Sequence, residues 1–378
     1  MHRWLAILTA LALSLSALAQ TPAQPAEPPS APAATRAAIL TFGEKDAELV
    51  GFFVTADAFR ACIPRLKEEK VDTVVVRFRS GGGFYAEVEK FSDLFHHEFK
   101  KDFRLVAWVD QAFSAAAMSA HSIEEICFTP KGSYGACTGF SGIPGNLTPG
   151  SAERTLKMRL TMGEKVSDRG RHPRPIMRAM QLSSEREDCE GLNITPPWGA
   201  LSATIDPASG EVRFFQDAAS GSLVLNPKGQ SQILVLTAED ALKIRFSKGT
   251  ASTLDELEKV LGPAKVEWVG ERTGEAPWPI CKAERSLMEC RRRSAAAAKE
   301  LDPLVRTIHE RLSKAQFAAP ADRTGLVADA RGAVDRLKAL VTANPTLILL
   351  NWGGLEEEYD EFIEQFEKVL AKLEPAAP

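Results

Sequence analysis

The chain has 378 residues, of which 44% are hydrophobic and 25% are charged, so it is long enough to bury a core and to form more than one domain. Its formal net charge of −4 includes no basic block. That distribution argues against a nucleic-acid partner, because phosphate binding needs clustered lysine and arginine.

The first 35 residues predict a targeting segment followed by a tether. His2 and Arg3 precede an apolar run that ends in an A-x-A sequence at Ala19, as in a cleaved secretory signal of residues 1–19. The run is shorter than the roughly 20 residues of a membrane-spanning helix, although an uncleaved anchor is the alternative. Residues 20–35 are rich in Pro and Ala and predict an extended linker. We therefore expect an exported protein, either periplasmic or secreted.

From residue 36 onward, short β-branched runs alternate with helical patterns. Strands are predicted near residues 38–42, 73–78 and 104–109, and helices near 55–67 and 85–97. This alternation predicts βαβ units and a largely parallel sheet covered by helices. The α/β domain is predicted to span residues 36–262.

Two later regions differ in pattern from this domain. Within residues 191–235, two strand-like runs at Glu211–Phe215 and Ser222–Leu225 predict a hairpin insertion. Residues 263–281 are predicted to be a linker. Residues 282–378 carry apolar residues at alternating spacings of three and four, which predicts a small helical bundle or hairpin packed on the core. A partner-binding arm is the alternative.

Six cysteines in an exported chain could form disulfides, because that compartment is oxidising. Cys281 and Cys290 are close in sequence and are the first candidate pair, whereas Cys127 lies in an apolar run and is expected to be a buried thiol. No paired C-x-x-C spacing predicts a zinc site, and no nucleotide-binding glycine motif is present. We expect neither a metal nor another cofactor.

Two segments of the α/β domain have the composition of a catalytic turn. Ser80 and the glycines at 81–83 follow a predicted strand and precede a helix, where backbone N–H groups can approach an anionic oxygen. Ser114 stands between the next strand and a helix of small residues. The N–H group of Ala115, together with the glycine turn, could hold an oxyanion there. The alternative is that Ser114 is a structural N-cap.

A third segment, CFTPKGSYGA at residues 127–136, predicts a strand and a tight turn. The order Ser-Gly-Gly-Gly, Ser-Ala-Ala, Pro-x-Gly-x-x-Gly-Ala resembles the Clp/crotonase superfamily. Within it, the segment order is most similar to the NfeD-type and signal-peptide-peptidase branch of serine peptidases. Arg169-Gly-Arg171 and Leu236–Leu242 extend the resemblance over most of the α/β domain.

The resemblance implies a Clp/crotonase-like ββα superhelix and an acyl-enzyme mechanism. Ser114 would be the nucleophile, with Gly82, Gly83 and Ala115 lining the oxyanion hole. It also implies a peptide or protein substrate and a homo-oligomer, and leaves a membrane-associated partner open.

The resemblance also implies a base for Ser114. The histidine that Clp peptidases use is absent near Gly139, and His121 lies two helical turns from Ser114, too far to reach its hydroxyl. The related branch uses a lysine roughly forty residues after the serine. Lys157 is the matching residue, with Lys165 as a substitute. As a base it should be buried, since desolvation favours the neutral amine, whereas its alternative role is a solvated surface lysine.

These features together predict an exported, ATP-independent serine endopeptidase that acts on unfolded or membrane-derived peptides. Phe113 and Gln111 depart from the small residues usual in the family beside the nucleophile. They support the alternative of a catalytically inactive binding or scaffold protein with the same fold. An acyl-CoA enzyme of the crotonase branch fits less well, because that branch uses no serine nucleophile.

Overall fold

The computed structural model describes residues 34–44, 48–138, 149–183, 199–226, 233–262 and 265–373. The predicted signal segment, nearly all of the predicted linker at 20–35, Cys189 and Gly139 lie outside these ranges. No helix within the described ranges is both long and apolar enough to cross a membrane.

A six-stranded sheet forms the centre of the α/β region, in the order β8-β4-β3-β2-β1-β9. Five strands are parallel, and β8 joins one edge in the antiparallel direction. The largely parallel sheet predicted from the alternating pattern is confirmed. Its strands are β1 (Thr35–Phe42), β2 (Thr73–Ser80), β3 (Arg104–Phe113), β4 (Glu125–Gly135), β8 (Val235–Thr237) and β9 (Val266–Trp268).

Successive side chains of each strand point to opposite faces of the sheet, and apolar side chains on both faces are covered by helices. Val74 and Val76 of β2 belong to the larger core, whereas Val75 belongs to a second core that includes Trp278. The helices of this region are α1 (Ala56–Arg60), α2 (Ile63–Glu68), α3 (Tyr85–Leu94), α4 (Lys100–Asp102), α5 (Ala115–Ala120), α6 (Pro149–Gly170), α7 (Arg174–Gln181), α8 (Ala238–Lys243) and α9 (Leu254–Leu261), with a π-helical turn at Phe95–Phe99.

The predicted hairpin insertion contains three strands rather than two. Strands β5 (Leu201–Ile205), β6 (Val212–Phe215) and β7 (Leu223–Asn226) form an antiparallel sheet in the order β6-β5-β7. The two runs predicted from sequence correspond to β6 and β7, but each pairs with β5 instead of with the other. The prediction of a two-stranded hairpin is therefore wrong.

The C-terminal region is helical, as predicted. It contains α10 (Lys282–Phe317), α11 (Pro320–Ala343), α12 (Leu347–Asn351) and α13 (Glu356–Leu373). Its apolar core includes Ile308 of α10, Val334 of α11 and Phe366 of α13. Phe52 of the α/β region is buried in the same core, so the helices pack directly on that region.

The predicted disulfide between Cys281 and Cys290 is wrong. Both residues are free thiols, and Cys281 is the N-cap of α10, where its sulfur accepts the Glu284 N–H at 3.3 Å. Cys290 lies further along the same helix. At 1.5 Å of rise per residue the two positions are about 13 Å apart, roughly twice the Cα separation that a disulfide spans.

Candidate functional site

The glycine turn and Ser114 lie together at the carboxyl ends of the neighbouring strands β2 and β3. Strands β2 and β3 are parallel neighbours, with Ser80 paired to Ala112, so the segments that follow them leave the sheet side by side. A Cβ placed on Gly82, whose φ is +108°, would lie 2.6 Å from the Ser114 Cβ and 3.2 Å from its Oγ. Only glycine allows this approach, so the glycine turn and Ser114 lie side by side where β2 and β3 end.

Ser114 has an unusual backbone conformation, with φ of 52° and ψ of −124°. Residues other than glycine rarely adopt positive φ, and an ordinary N-cap lies in the extended region. The Ser114 side chain also makes no capping hydrogen bond. The structure therefore does not support the structural N-cap, and Ser114 instead stands on a sharp turn between β3 and α5.

Backbone hydrogen bonds hold this conformation on both sides of Ser114. Its N–H donates to the Gly135 carbonyl at 2.9 Å, and its carbonyl accepts the Met118 N–H at 3.0 Å. The side chain is half-buried, and its hydroxyl has no hydrogen-bond partner in the part of the chain that the structure describes. The backbone of Ser114 is thus fixed in place, and its hydroxyl remains available to a ligand.

Two of the three predicted oxyanion-hole residues have unused N–H groups. Within the described ranges, the N–H groups of Gly83 and Ala115 have no hydrogen-bond acceptor. Gly82 differs, because its N–H donates to Ser80 Oγ at 3.2 Å. The role of Gly82 in the turn is therefore the close approach to Ser114, and the two unused donors belong to its neighbours.

Lys157 is exposed, whereas a buried lysine was predicted from the sequence. It lies on α6 with an exposed side chain and makes no ion pair with the described residues. The predicted substitute, Lys165, is held by two carboxylates, with its Nζ 2.7 Å from Glu89 and 3.5 Å from Asp93. Neither lysine is in the desolvated environment of a general base in this structure.

Contacts on either side of Lys157 nevertheless bring α6 to the site. The Tyr85 hydroxyl, just after the glycine turn, donates to the Met158 carbonyl at 3.3 Å. The Arg159 guanidinium donates to the Thr138 carbonyl at 3.0 Å, just after the Gly135 turn that binds Ser114. The residues that follow Lys157 therefore connect α6 to the turns on both sides of Ser114.

His121 has a structural role in the core. It is fully buried, and its Nδ1 lies 2.8 Å from the Tyr134 hydroxyl, which itself donates to the Ala117 carbonyl. The hydroxyl proton is thus used, so Nδ1–H of His121 is the donor in the first bond. His172 packs 4.7 Å away, and burial lowers the pKa of His172 to about 4 and that of His121 well below its usual value. The His121 ring is a neutral core group, and the His172 ring is a neutral, partly buried group beside it.

Residues 48–54 carry no motif in the sequence, and in the structure they lie against the glycine turn. We call Glu48–Val54 the strap. Val50 forms a parallel bridge with Gly83, accepting the Phe84 N–H and donating to the Gly82 carbonyl, each at 2.9 Å. The strap forms neither a helix nor a regular strand. Its sequence therefore has no hydrophobic periodicity from which its position could be predicted.

No protein-family model and no curated protein matches the chain. Solved structures similar to it include a serine-to-alanine variant of the 1510-N membrane-bound stomatin-specific protease, with 14% identity, 63% of this chain and 99% of that chain covered, and a TM-score of 0.41. A lysine-to-alanine variant of the same protease in complex with a substrate peptide has 14% identity, coverage of 64% and 95%, and a TM-score of 0.41.

A third similar structure is the 1510-N membrane protease specific for a stomatin homolog from Pyrococcus horikoshii. It has 13% identity, coverage of 63% and 93%, and a TM-score of 0.34. At these values the function of the present chain has to be inferred from its own residues.

Proposed function

We propose that this protein is a serine peptidase that forms an acyl-enzyme on Ser114. The observation that carries the proposal is the uncapped Ser114, held at positive φ against Gly82. Such a conformation costs about 1–3 kcal/mol in a residue other than glycine, and residues that keep it cluster at functional sites. A serine that served only to begin α5 would need no such strain.

The geometry supports nucleophilic attack by Ser114 Oγ on a substrate carbonyl. As the C–O bond forms, the carbonyl oxygen becomes an oxyanion, for which the unused N–H groups of Gly83 and Ala115 are the proposed donors. Collapse of this intermediate breaks the C–N bond and releases the amine, leaving an ester on Ser114. Water then hydrolyses the ester and regenerates the hydroxyl.

Lys157 is the proposed base in both steps. In the first step it takes the Ser114 proton and gives it to the leaving amine, and in the second it takes a proton from the attacking water and gives it to Ser114 Oγ. For this its side chain turns from solvent toward Ser114, since Met158 and Arg159 already attach the backbone beside the site. A bound substrate or a second subunit covering this face of α6 would exclude water, and loss of hydration favours the neutral amine that a base requires.

The proposed substrates are unfolded or membrane-derived peptides, cleaved internally and without ATP. Ser114 is half-buried at the end of β3, and an extended segment can reach such a position more readily than a folded domain can. Export is proposed from the pattern of residues 1–19 alone, and assembly into a homo-oligomer from the family resemblance alone.

One observation favours a second candidate, a catalytically inactive binding or scaffold protein. Among the residues that the structure describes, no general base contacts Ser114, since Lys157 is exposed and His121 is bonded to Tyr134. A protein that kept the turn and lost the reaction would have this arrangement.

A fluorophosphonate probe, which reacts with activated serines, separates the two candidates. The wild type and Ser209→Ala, a control that alters an exposed serine, should be labelled, and Ser114→Ala should not. Heat-unfolded wild type should also fail to react, because activation needs the folded turn. Equal labelling of wild type and Ser114→Ala, or labelling of neither under broad conditions, would favour the scaffold candidate.

A further inference from the structure

The strap holds the glycine turn at three points. Val50 donates to the Gly82 carbonyl and accepts the Phe84 N–H, each at 2.9 Å. The Glu48 carbonyl accepts the Ser80 hydroxyl at 3.0 Å, and that same hydroxyl oxygen accepts the Gly82 N–H. The orientation of the turn therefore depends on the position of the strap.

The other side of the strap is embedded in the C-terminal helices. Phe52 is only 1% exposed and belongs to their apolar core. Gly51 lies between the turn and α12, since a Cβ on Gly51 would be 3.1 Å from Phe84 and 3.4 Å from Leu349. The strap is thus packed between the turn beside Ser114 and the helical region.

A buried arginine adds a polar connection to the same segment. Arg291 of α10 donates to the Thr41 carbonyl at 3.1 Å and to its hydroxyl at 2.7 Å, and it pairs with buried Glu284 at 3.0 Å. Its Nε lies 3.7 Å from the carboxylate of Glu48, the first residue of the strap. A buried guanidinium requires such partners, so α10, the end of β1 and the strap are locked together.

We infer that the C-terminal helical region positions the oxyanion-binding turn, with Arg291 and Leu349 as positioning residues that act through the strap. The inference rests on the proposed function, because it assigns catalytic importance to the Gly83 N–H. A shift of about 1 Å in a reacting group can cost roughly 10²-fold in rate. Loosening the strap should therefore slow the chemical step and leave ground-state substrate binding nearly unchanged.

The first test uses the full chain carrying Arg291→Met together with Glu284→Gln, so that neither charge is left buried alone. Arg292→Met is the matched control, since Arg292 is exposed and pairs with Glu289 on the same helix. The double variant should lower kcat and the fluorophosphonate labelling rate by about 10- to 100-fold while KM stays within about twofold. The control should match the wild type.

The second test is milder and covers the case in which the double variant does not fold. Leu349→Ala removes a side chain next to Gly51, whereas Leu350→Ala removes the adjacent, more exposed leucine of α12. The first should lower kcat several-fold more than the second, again at nearly constant KM. If folded variants at positions 291 and 349 keep the rates of their controls, the inference is overturned.

Amide hydrogen exchange tests the positioning separately from the chemistry. The Phe84 N–H, bonded to Val50, should exchange at least about tenfold faster in both variants than in the controls, while the Val75 N–H of β2 is unchanged. If the wild type is inactive but the Phe84 N–H exchanges faster in the variants, the proposed function is wrong. The inference that the C-terminal helices position the turn is still supported in that case. Unchanged exchange at Phe84 overturns the inference whether or not the wild type is active.

Discussion

The conformation of Ser114 makes a specific prediction about stability. Its φ of 52° and ψ of −124° are easily adopted by glycine and strained for alanine. The strain should lower the unfolding free energy of the alanine variant by about 1–3 kcal/mol. The greater freedom of the unfolded glycine variant should lower its own unfolding free energy by about 0.4–1 kcal/mol. We therefore expect Ser114→Gly to have an unfolding free energy about 1 kcal/mol higher than Ser114→Ala. Both variants lack the hydroxyl and should be inactive.

Ser119 supplies the matched control, because it lies in the same helix with ordinary helical geometry and its hydroxyl donates to the Ala115 carbonyl. There glycine should be less stable than alanine by about 1 kcal/mol, the usual helix-interior difference. Urea unfolding of the four variants, followed by circular dichroism, measures both differences. If glycine is less stable than alanine at position 114 as well, Ser114 carries no strain and the central observation loses its meaning.

Three further outcomes follow from the site and the core. Lys157→Ala should lower kcat by at least about 10²-fold, because a general base typically contributes 10²–10⁴-fold, and should change the pH dependence of kcat/KM. In the folded protein, maleimide should modify partly exposed Cys290 and leave buried Cys62 unmodified until urea is added. Desolvation depresses the pKa of the partly buried, neutral His172 ring to about 4, so stability should be lost as pH falls from about 6.5 toward 4. The His172→Gln variant should show less of this loss in urea titrations at several pH values.

Each of these outcomes has a result that would contradict it. An unchanged rate and pH profile in Lys157→Ala would mean that another group is the base. Protection of Cys290 from maleimide until a reductant is added would show that it is oxidised in the folded protein. An acid transition of the same size in His172→Gln and wild type would place the responsible groups elsewhere.

The contact between the glycine turn and Ser114 was predictable because it depends only on strand direction. Parallel strands β2 and β3 end at the same edge, and the apolar runs that form them are plain in the sequence. The backbone angles of Ser114 were not predictable in this way. They depend on Gly82 and Gly135, which approach from other strands, and no local pattern encodes that contact.

Other features depended on element boundaries or on long-range pairing. Cys281 and Cys290 are near in sequence, but Cys281 caps α10 and Cys290 lies within it, which separates them along the helix axis. The strap has no periodicity, and its position depends on Phe52, which packs among helices that begin 230 residues later in the chain. The exposure of Lys157 depends on which face of α6 packs on the α/β region. The spacing of about forty residues between serine and lysine in the related peptidases does not specify that face.

The central claim is that Ser114 forms a covalent acyl intermediate, and trapping that intermediate tests it most directly. The protein would be mixed with an activated peptide ester, quenched in acid, and analysed by intact mass and by peptide mapping. If Ser114 forms the acyl-enzyme, the mass of the protein should increase by one acyl group, located on Ser114. The increase should accumulate in a fast first phase and be absent from Ser114→Ala. An acyl group on another residue, or none while the ester is being hydrolysed, would contradict it.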